Sequence, residues 1–314
     1  MDAIQSLVDK SLLHPLPVGP DQEPRFGMYL TLQSYAAEKL VDEREAVCGR
    51  HSAHYAHLGA RLLGLKFGVV QDKRLWWRLV GEVDNLLAAT DRSMAAGAHQ
   101  IAAECALAVS VVLNRRGPFS RASALLTTVL QAPTTDRLVP LHSHLHNILG
   151  NLHLNMGDVP AALAGYQQAL SLAQQVGQAA RQSVILGNIA SIYRQQGDHE
   201  QALVHYEQAL AFAEQTGDRN SESFLLSNLG SLNLRRGNFE AAERHFSRAL
   251  ILARMTGNND RLIILLGNLG LLRAKLGQSK AAEEAFLEVL QKARALQLRR
   301  QEAVSYTHLR AHET

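Results

Sequence analysis

Along residues 183–196, apolar side chains recur at Leu186, Ile189, Ala190 and Tyr193. Steps of three, one and three place these four on one helical face, so the pattern predicts an amphipathic helix. Gly197 follows and can take the left-handed conformation that ends a helix, while Asp198 can cap the start of the next. The second predicted helix carries Ala202, Leu203, Tyr206, Ala209 and Leu210 on one buried stripe. Small Ala190 and Ala202 let the two helices approach closely, and Tyr206 is expected to fill the space between this pair and the next.

The same pattern returns every forty residues. Gly157, Gly197, Gly237 and Gly277 mark the turns. Ala162, Ala202, Ala242 and Ala282 follow, then the aromatics Tyr166, Tyr206, Phe246 and Phe286. Gly150, Ala190, Gly230 and Gly270 stand seven residues before each turn glycine. A fixed period of this length predicts stacked helix–turn–helix units rather than one closed globule. Gly117, Ala122, Leu126 and Leu130 hold the same register in a weaker upstream unit. Its first helix is expected to hold 107–115, with the register running back to about Ile101. The expected units are near 98–136, 137–178, 179–218, 219–258 and 259–298.

These residues resemble the tetratricopeptide repeat. Leu226, Leu229, Gly230, Gly237, Ala242, Phe246 and Ala249 fit its signature in order, whereas Asn233, His153 and Arg273 stand where it has Tyr. The forty-residue spacing resembles the longer variant of kinesin light chains and bacterial regulators, with extra residues around 175–181, 215–221 and 256–261. The resemblance implies an all-α fold, a right-handed α-solenoid over 98–303, and binding of a protein or peptide.

The first 97 residues do not repeat. The pattern predicts a helix over 4–13, a hairpin over 15–24, an alternating strand over 25–32 and a helix over 33–40. The wording LVDKSLL at 7–13 and RFGMYLTLQSYAAEKL at 25–40 resembles the winged-helix segment of STAND-class ATPases, bacterial signal-transduction proteins that include transcription regulators. Residues 50–63, and the run Trp76, Leu79, Glu82, Asn85, Leu86, Ala88 and Ala89, resemble the segments that follow it. The implied organisation is a winged-helix remnant at 1–42 and a helical linker or first helix pair at 43–97. No G-x-x-x-x-G-K-[ST] phosphate loop occurs. Met1 is therefore expected to be an internal or misassigned start, with the ATPase domain upstream or lost. Residues 304–314, VSYTHLRAHET, break the register and resemble a sequencing-library adapter translated in frame. The natural chain is expected to stop near Ala303.

Composition narrows the function. A net charge of +3 is too small to imply a nucleic-acid partner. Cys48 and Cys105 are isolated and lack metal spacing, which reads as a reduced, cytoplasmic protein. The longest weakly polar stretch, 102–113, is too short for a bilayer and holds Glu104, so no membrane partner is expected. No secretory leader opens the chain. No Ser/His/Asp, Cys/His or paired-carboxylate constellation clusters, so neither catalysis nor a cofactor is expected. His142, His146 and His153 share one helix side, and His51, His54 and His57 recur by three; both groups read as packing or surface histidines rather than metal ligands. Arg115–Arg116 and Arg299–Arg300 read as solvated helix ends.

The candidate site lies opposite the core-facing side of each first helix. Angular spacing places four repeat positions there. One holds Asn188, Asn228 and Asn268; a second holds Asn151, Ser191 and Ser231; a third holds Asn155, Gln195, Arg235 and Lys275; the last contributes Phe224. An amide donates and accepts at once, which suits a peptide backbone. The same asparagines could instead cap or bridge adjacent helices. A two-carboxylate clamp is not expected, because Asn147, Gly187, Ser227 and Gly267 stand where it needs Lys. The reading is a peptide-binding sensor arm of a STAND-class regulator; a stand-alone scaffold is the alternative.

Overall fold

The computed structural model describes residues 2–16, 26–28, 30–40, 42–63, 73–133 and 135–295. Arg299–Arg300, the 304–314 tail and most of the 15–24 hairpin lie outside them. The chain divides into two compact units, Met1–Leu172 and Ala173–Thr314.

The first unit opens with α1 (Asp2–Asp9), a two-stranded antiparallel pair β1 (His14–Pro15) and β2 (Phe26–Gly27), and α2 (Leu30–Lys39). The helix expected over 4–13 stops early, because Ser11 turns left-handed with φ 57°. The amides of Leu12 and Leu13 then fold back onto the Leu7 carbonyl. The strand expected over 25–32 is confined to Phe26–Gly27, and Leu30, Thr31 and Leu32 open α2 instead. Pro15, which has no N–H, cannot extend the ladder.

Next come α3 (Arg44–Leu63), α4 (Lys73–Gly81) and α5 (Val83–Ala95). The run beginning at Trp76 is broken by a turn at Glu82, whose carboxylate accepts from Asn85 Nδ2 at 2.8 Å. The first helix pair in register is α6 (His99–Arg116) and α7 (Phe119–Leu130). Arg115 and Arg116 are not merely solvated. Their guanidinium groups lie over the Trp76 and Trp77 rings, 4.8 and 5.2 Å from the centroids. Leu58, Leu62, Leu86, Val109 and Leu126 centre the buried core beneath them.

The remaining helices are α8 (Val139–Asn155) and α9 (Val159–Gln175), α10 (Ala179–Gln196) and α11 (His199–Thr216), α12 (Arg219–Arg235) and α13 (Phe239–Met255), and α14 (Asn259–Lys275) and α15 (Ser279–Ala295). We call the first of each pair the A helix and the second the B helix. Gly157, Gly197, Gly237 and Gly277 turn left-handed between A and B, with φ from 72° to 83°. A second series, Gly177, Gly217 and Gly257, does the same between B and the next A, with φ of 64–65°. The backbone period is thus twenty residues, with one glycine at each turn, and the extra residues of the long repeat fall around the second series. Arg137 stands where that series would place a glycine, and α7 ends at Leu130 shortly before Pro133.

The A and B helices interlock through ring on glycine. A Cβ added at Gly150, Gly230 or Gly270 would come within 2.6–2.7 Å of the Tyr166, Phe246 or Phe286 ring. The aromatic therefore packs onto its own A helix as well as toward the next unit: Phe246 shares a buried cluster with Leu226 before it and with Leu262, Leu265 and Leu269 after it. A buried staple repeats too. Ser143, Ser183 and Ser223 each donate Oγ–H to the carbonyl of Ala169, Ala209 or Ala249 across the pair, at 2.8–2.9 Å. In the last pair Ile263 and Val289 replace serine and alanine, and both join an apolar cluster with Leu266.

Candidate functional site

In the second unit the A helices touch directly, α10 with α12 and α12 with α14. Asn188, Asn228 and Asn268 occupy one register position along this layer and are half-buried rather than exposed. Their surroundings differ. Asn268 Nδ2 donates to Ser231 Oγ at 3.4 Å, so this asparagine bridges α14 to α12. Asn228 Nδ2 is buried with no hydrogen-bond partner among the described residues. Ser231 donates to the Ser227 carbonyl at 2.9 Å.

The neighbouring position follows the aromatic. Asn151 Oδ1 accepts from the Tyr166 hydroxyl at 2.6 Å, and Ser191 Oγ lies 3.0 Å from the Tyr206 hydroxyl. Where the ring is Phe246 or Phe286, that hydroxyl is gone and Ser231 or Leu271 stands opposite. Asn155 Nδ2 donates to Asn114 Oδ1 at 3.1 Å. Gln195, Arg235 and Lys275 are exposed. Asn151 and Asn155 belong to the first unit; the other candidate residues lie on α10, α12 and α14 of the second.

Phe224 is half-buried on α12, and the Arg261 guanidinium lies 4.7 Å above its ring. Sequence reasoning passed over Arg261. Burial pulls its pKa below the usual arginine range, which nearby Asp260 partly offsets. Arg181 stands eighty residues earlier at the same register. Its Nε donates to Gln178 Oε1 at 3.0 Å, and burial pulls its pKa down to about 10. The available signal was a cation two residues before the staple position, present at both sites and replaced by Ser221 between them.

The histidines separate by environment. His146 is pushed down to about 4 by burial and then by His142, and His142 is itself lowered by burial and by His99. His153 Nδ1 lies 4.0 Å from Asp158, a carboxylate that spacing alone did not bring to it. Among the described residues no three His, Cys, Asp or Glu side chains converge as metal ligands. Burial pushes the Cys105 thiol up to about 12, an inert form.

Residues 141–215 and 222–295 match the family described as tetratricopeptide repeat. These two stretches are tetratricopeptide repeats. No curated protein matches the sequence. Among solved structures, the chain is similar to BtubC (BKLC) from P. vanneervenii, at 19% identity and a TM-score of 0.61, over 70% of this chain and 92% of that one. It is similar to a STAND protein with a tetratricopeptide repeat sensor from Pyrococcus horikoshii, at 15% identity and a TM-score of 0.59. That match covers 96% of this chain but 47% of the other, so the chain spans about half its length. The quorum sensor NprR from B. thuringiensis is similar at 14% identity and a TM-score of 0.53, over 76% of this chain and 73% of that one. At these identities the likeness is one of fold. Among the described residues no helix is long and apolar enough to cross a membrane.

Proposed function

We propose that this chain is a protein- or peptide-binding module that takes its partner on the concave, A-helix face of the repeats. The observation that carries this reading is asparagine at one register position of α10, α12 and α14, with the Asn228 amide nitrogen lacking a hydrogen-bond partner among the described residues. Such an amide can meet a peptide carbonyl and N–H together.

The module serves as the sensor arm of a STAND-class regulator in the cytoplasm. The resemblance of 7–13, 25–40 and 76–89 to that class supports this, as does the fold likeness, over 96% of this chain, to a STAND protein that carries a tetratricopeptide repeat sensor. In this reading 1–42 is a winged-helix remnant, 43–97 links it to the repeats, and the ATPase belongs upstream. A bound effector changes how the arm packs on that ATPase, and the repeats themselves bind rather than catalyse. A free scaffold that joins proteins without a switch is the second reading; the fold likeness to BtubC, of which 92% is covered, is compatible with it.

The test is to capture partners with the full chain, then titrate the tightest against wild type and a variant with Asn188, Asn228 and Asn268 all changed to Ala. Each lost amide contact costs about 0.5–1.5 kcal/mol, so binding should weaken at least roughly tenfold while helicity persists. Equal affinity would make the ladder structural, and so would loss of helicity in the variant.

A further inference from the structure

Charge is divided unequally between the helix layers of the second unit. Across α10, α12 and α14, seven Arg and Lys side chains stand against two carboxylates, Glu222 and Asp260. Across α11, α13 and α15 the balance reverses, with six cations against eight glutamates. Glu222 is also withdrawn from the A face. Its side chain is only 10% exposed and accepts from Arg248, which reaches over from α13 and also binds Glu214 at 2.7 Å. Arg273 turns away toward α15, where it donates to the Ala281 carbonyl, and the cations that remain attract the opposite sign and raise its local concentration.

Three donors of these A helices are buried without acceptors among the described residues, Arg194 Nε, Asn228 Nδ2 and Arg261 Nε. Phe224 links two of them, Arg261 and Asn228. Arg261 covers the Phe224 ring, and Phe224 and Asn228 are one turn apart on α12. Both vacancies call for an acceptor. The guanidinium carbon lies 4.7 Å over the ring and Nε has no acceptor, so the group is left to an anion, and a carboxylate matches the guanidinium fork. The neighbouring carboxylate of Asp260 partly offsets the burial of Arg261 yet leaves Nε unbonded.

We propose that the A-helix face of the second unit takes an acidic peptide segment, with one Asp or Glu carboxylate of that segment held by Arg261 beside Asn228. This rests on the peptide-binding reading above and names its chemistry. Exposed Arg235 and Lys275 supply longer-range attraction, which salt weakens.

The test uses the full chain and fluorescein-labelled short peptide pools with blocked ends. One pool mixes Asp and Glu with Ala and Leu, a second replaces the acids by Asn and Gln, a third by Lys, and a fourth by phosphoserine. The acidic pool should bind about tenfold or more tightly than the amide pool, and the difference should shrink with salt. Arg261→Gln should abolish the difference with helicity intact. Asn228→Asp sets a like charge at the seat and should weaken the acidic pool while sparing the amide pool. Lys275→Glu, at an exposed position, should slow association of the acidic pool only. Equal binding of acidic and amide pools would overturn the carboxylate seat and leave peptide binding standing. Preference for the Lys or the phosphoserine pool would overturn it as well. Binding of no pool would overturn the reading beneath it.

Discussion

Single side chains set how each helix pair is latched. Ser143, Ser183 and Ser223 spend their hydroxyls on a carbonyl of the facing helix, inside the core. The last pair solves the same contact with Ile263 and Val289. Two latches, one polar and one apolar, therefore fit the same backbone. The exchange should be cooperative. Ser223→Ile alone presses a larger side chain against Ala249 and breaks the hydrogen bond, costing about 1–3 kcal/mol; Ala249→Val alone meets Ser223 with similar overpacking. Made together, the two substitutions recreate the Ile263–Val289 pair. The double variant should be more stable than the sum of the single changes predicts, by about 1 kcal/mol or more in a urea-denaturation cycle. Strict additivity would mean that the two latches are not alternatives.

At the scale of the helix, glycine has opposite meanings at different places. Gly197 turns left-handed at φ 83°, whereas Gly267 lies inside α14 with nothing within 4 Å of where a Cβ would be. Gly197→Ala should cost about 1–2 kcal/mol, because an alanine in that conformation crowds the carbonyl. Gly267→Ala should instead stabilise by about 0.5–1 kcal/mol, since the helix interior favours Ala. Thermal melts of the two variants should shift in opposite directions, and a shared direction would contradict the assigned conformations. Much of this layout was legible in the sequence. Gly157, Gly197, Gly237 and Gly277 mark real turns, and the Gly230–Phe246 kind of contact follows from small-and-aromatic spacing. The second glycine series was equally visible but lies midway in the forty-residue period, where the repeat signature has no fixed residue. Long-range side-chain pairs were not legible: Arg115 over Trp76 joins α6 to α4, and no local period links them. The staple serines recur every forty residues, yet a hydroxyl is polar, so hydropathy assigns it to the surface although Ser183 is 1% exposed. At the candidate face, the asparagine register was legible. Arg261 was not, because a cation near a helix start reads as solvated until the Phe224 ring is found beneath it.

Over the whole chain, a stack of near-identical pairs spreads stability thinly, so a pair that departs from the pattern becomes a local weak point. The first unit contains one. Leu186, Leu226 and Leu266 occupy successive equivalents of one core-facing position, and His146 stands there instead. His99, His142 and His146 couple electrostatically, and the His146 pKa is held down to about 4 by burial and by His142. Folded, the His146 ring stays neutral until the pH approaches 4; unfolded, it takes up its proton near the ordinary 6.5. Between those values the unfolded chain binds more protons, so stability is lost as the pH falls from about 6.5 toward 4. Discounted for partial exposure of the ring, the loss is on the order of 1–2 kcal/mol. His146→Leu restores the repeat's own residue and removes the titration. It should raise stability at pH 7 slightly and at pH 5 more. Amide exchange resolved by helix should place the pH-dependent gain in α8 and its neighbours in the first unit, leaving α12 to α15 unchanged. The same dependence on pH in wild type and variant would show that acid acts elsewhere, with His205 and His245, both lowered by burial, the next groups to replace.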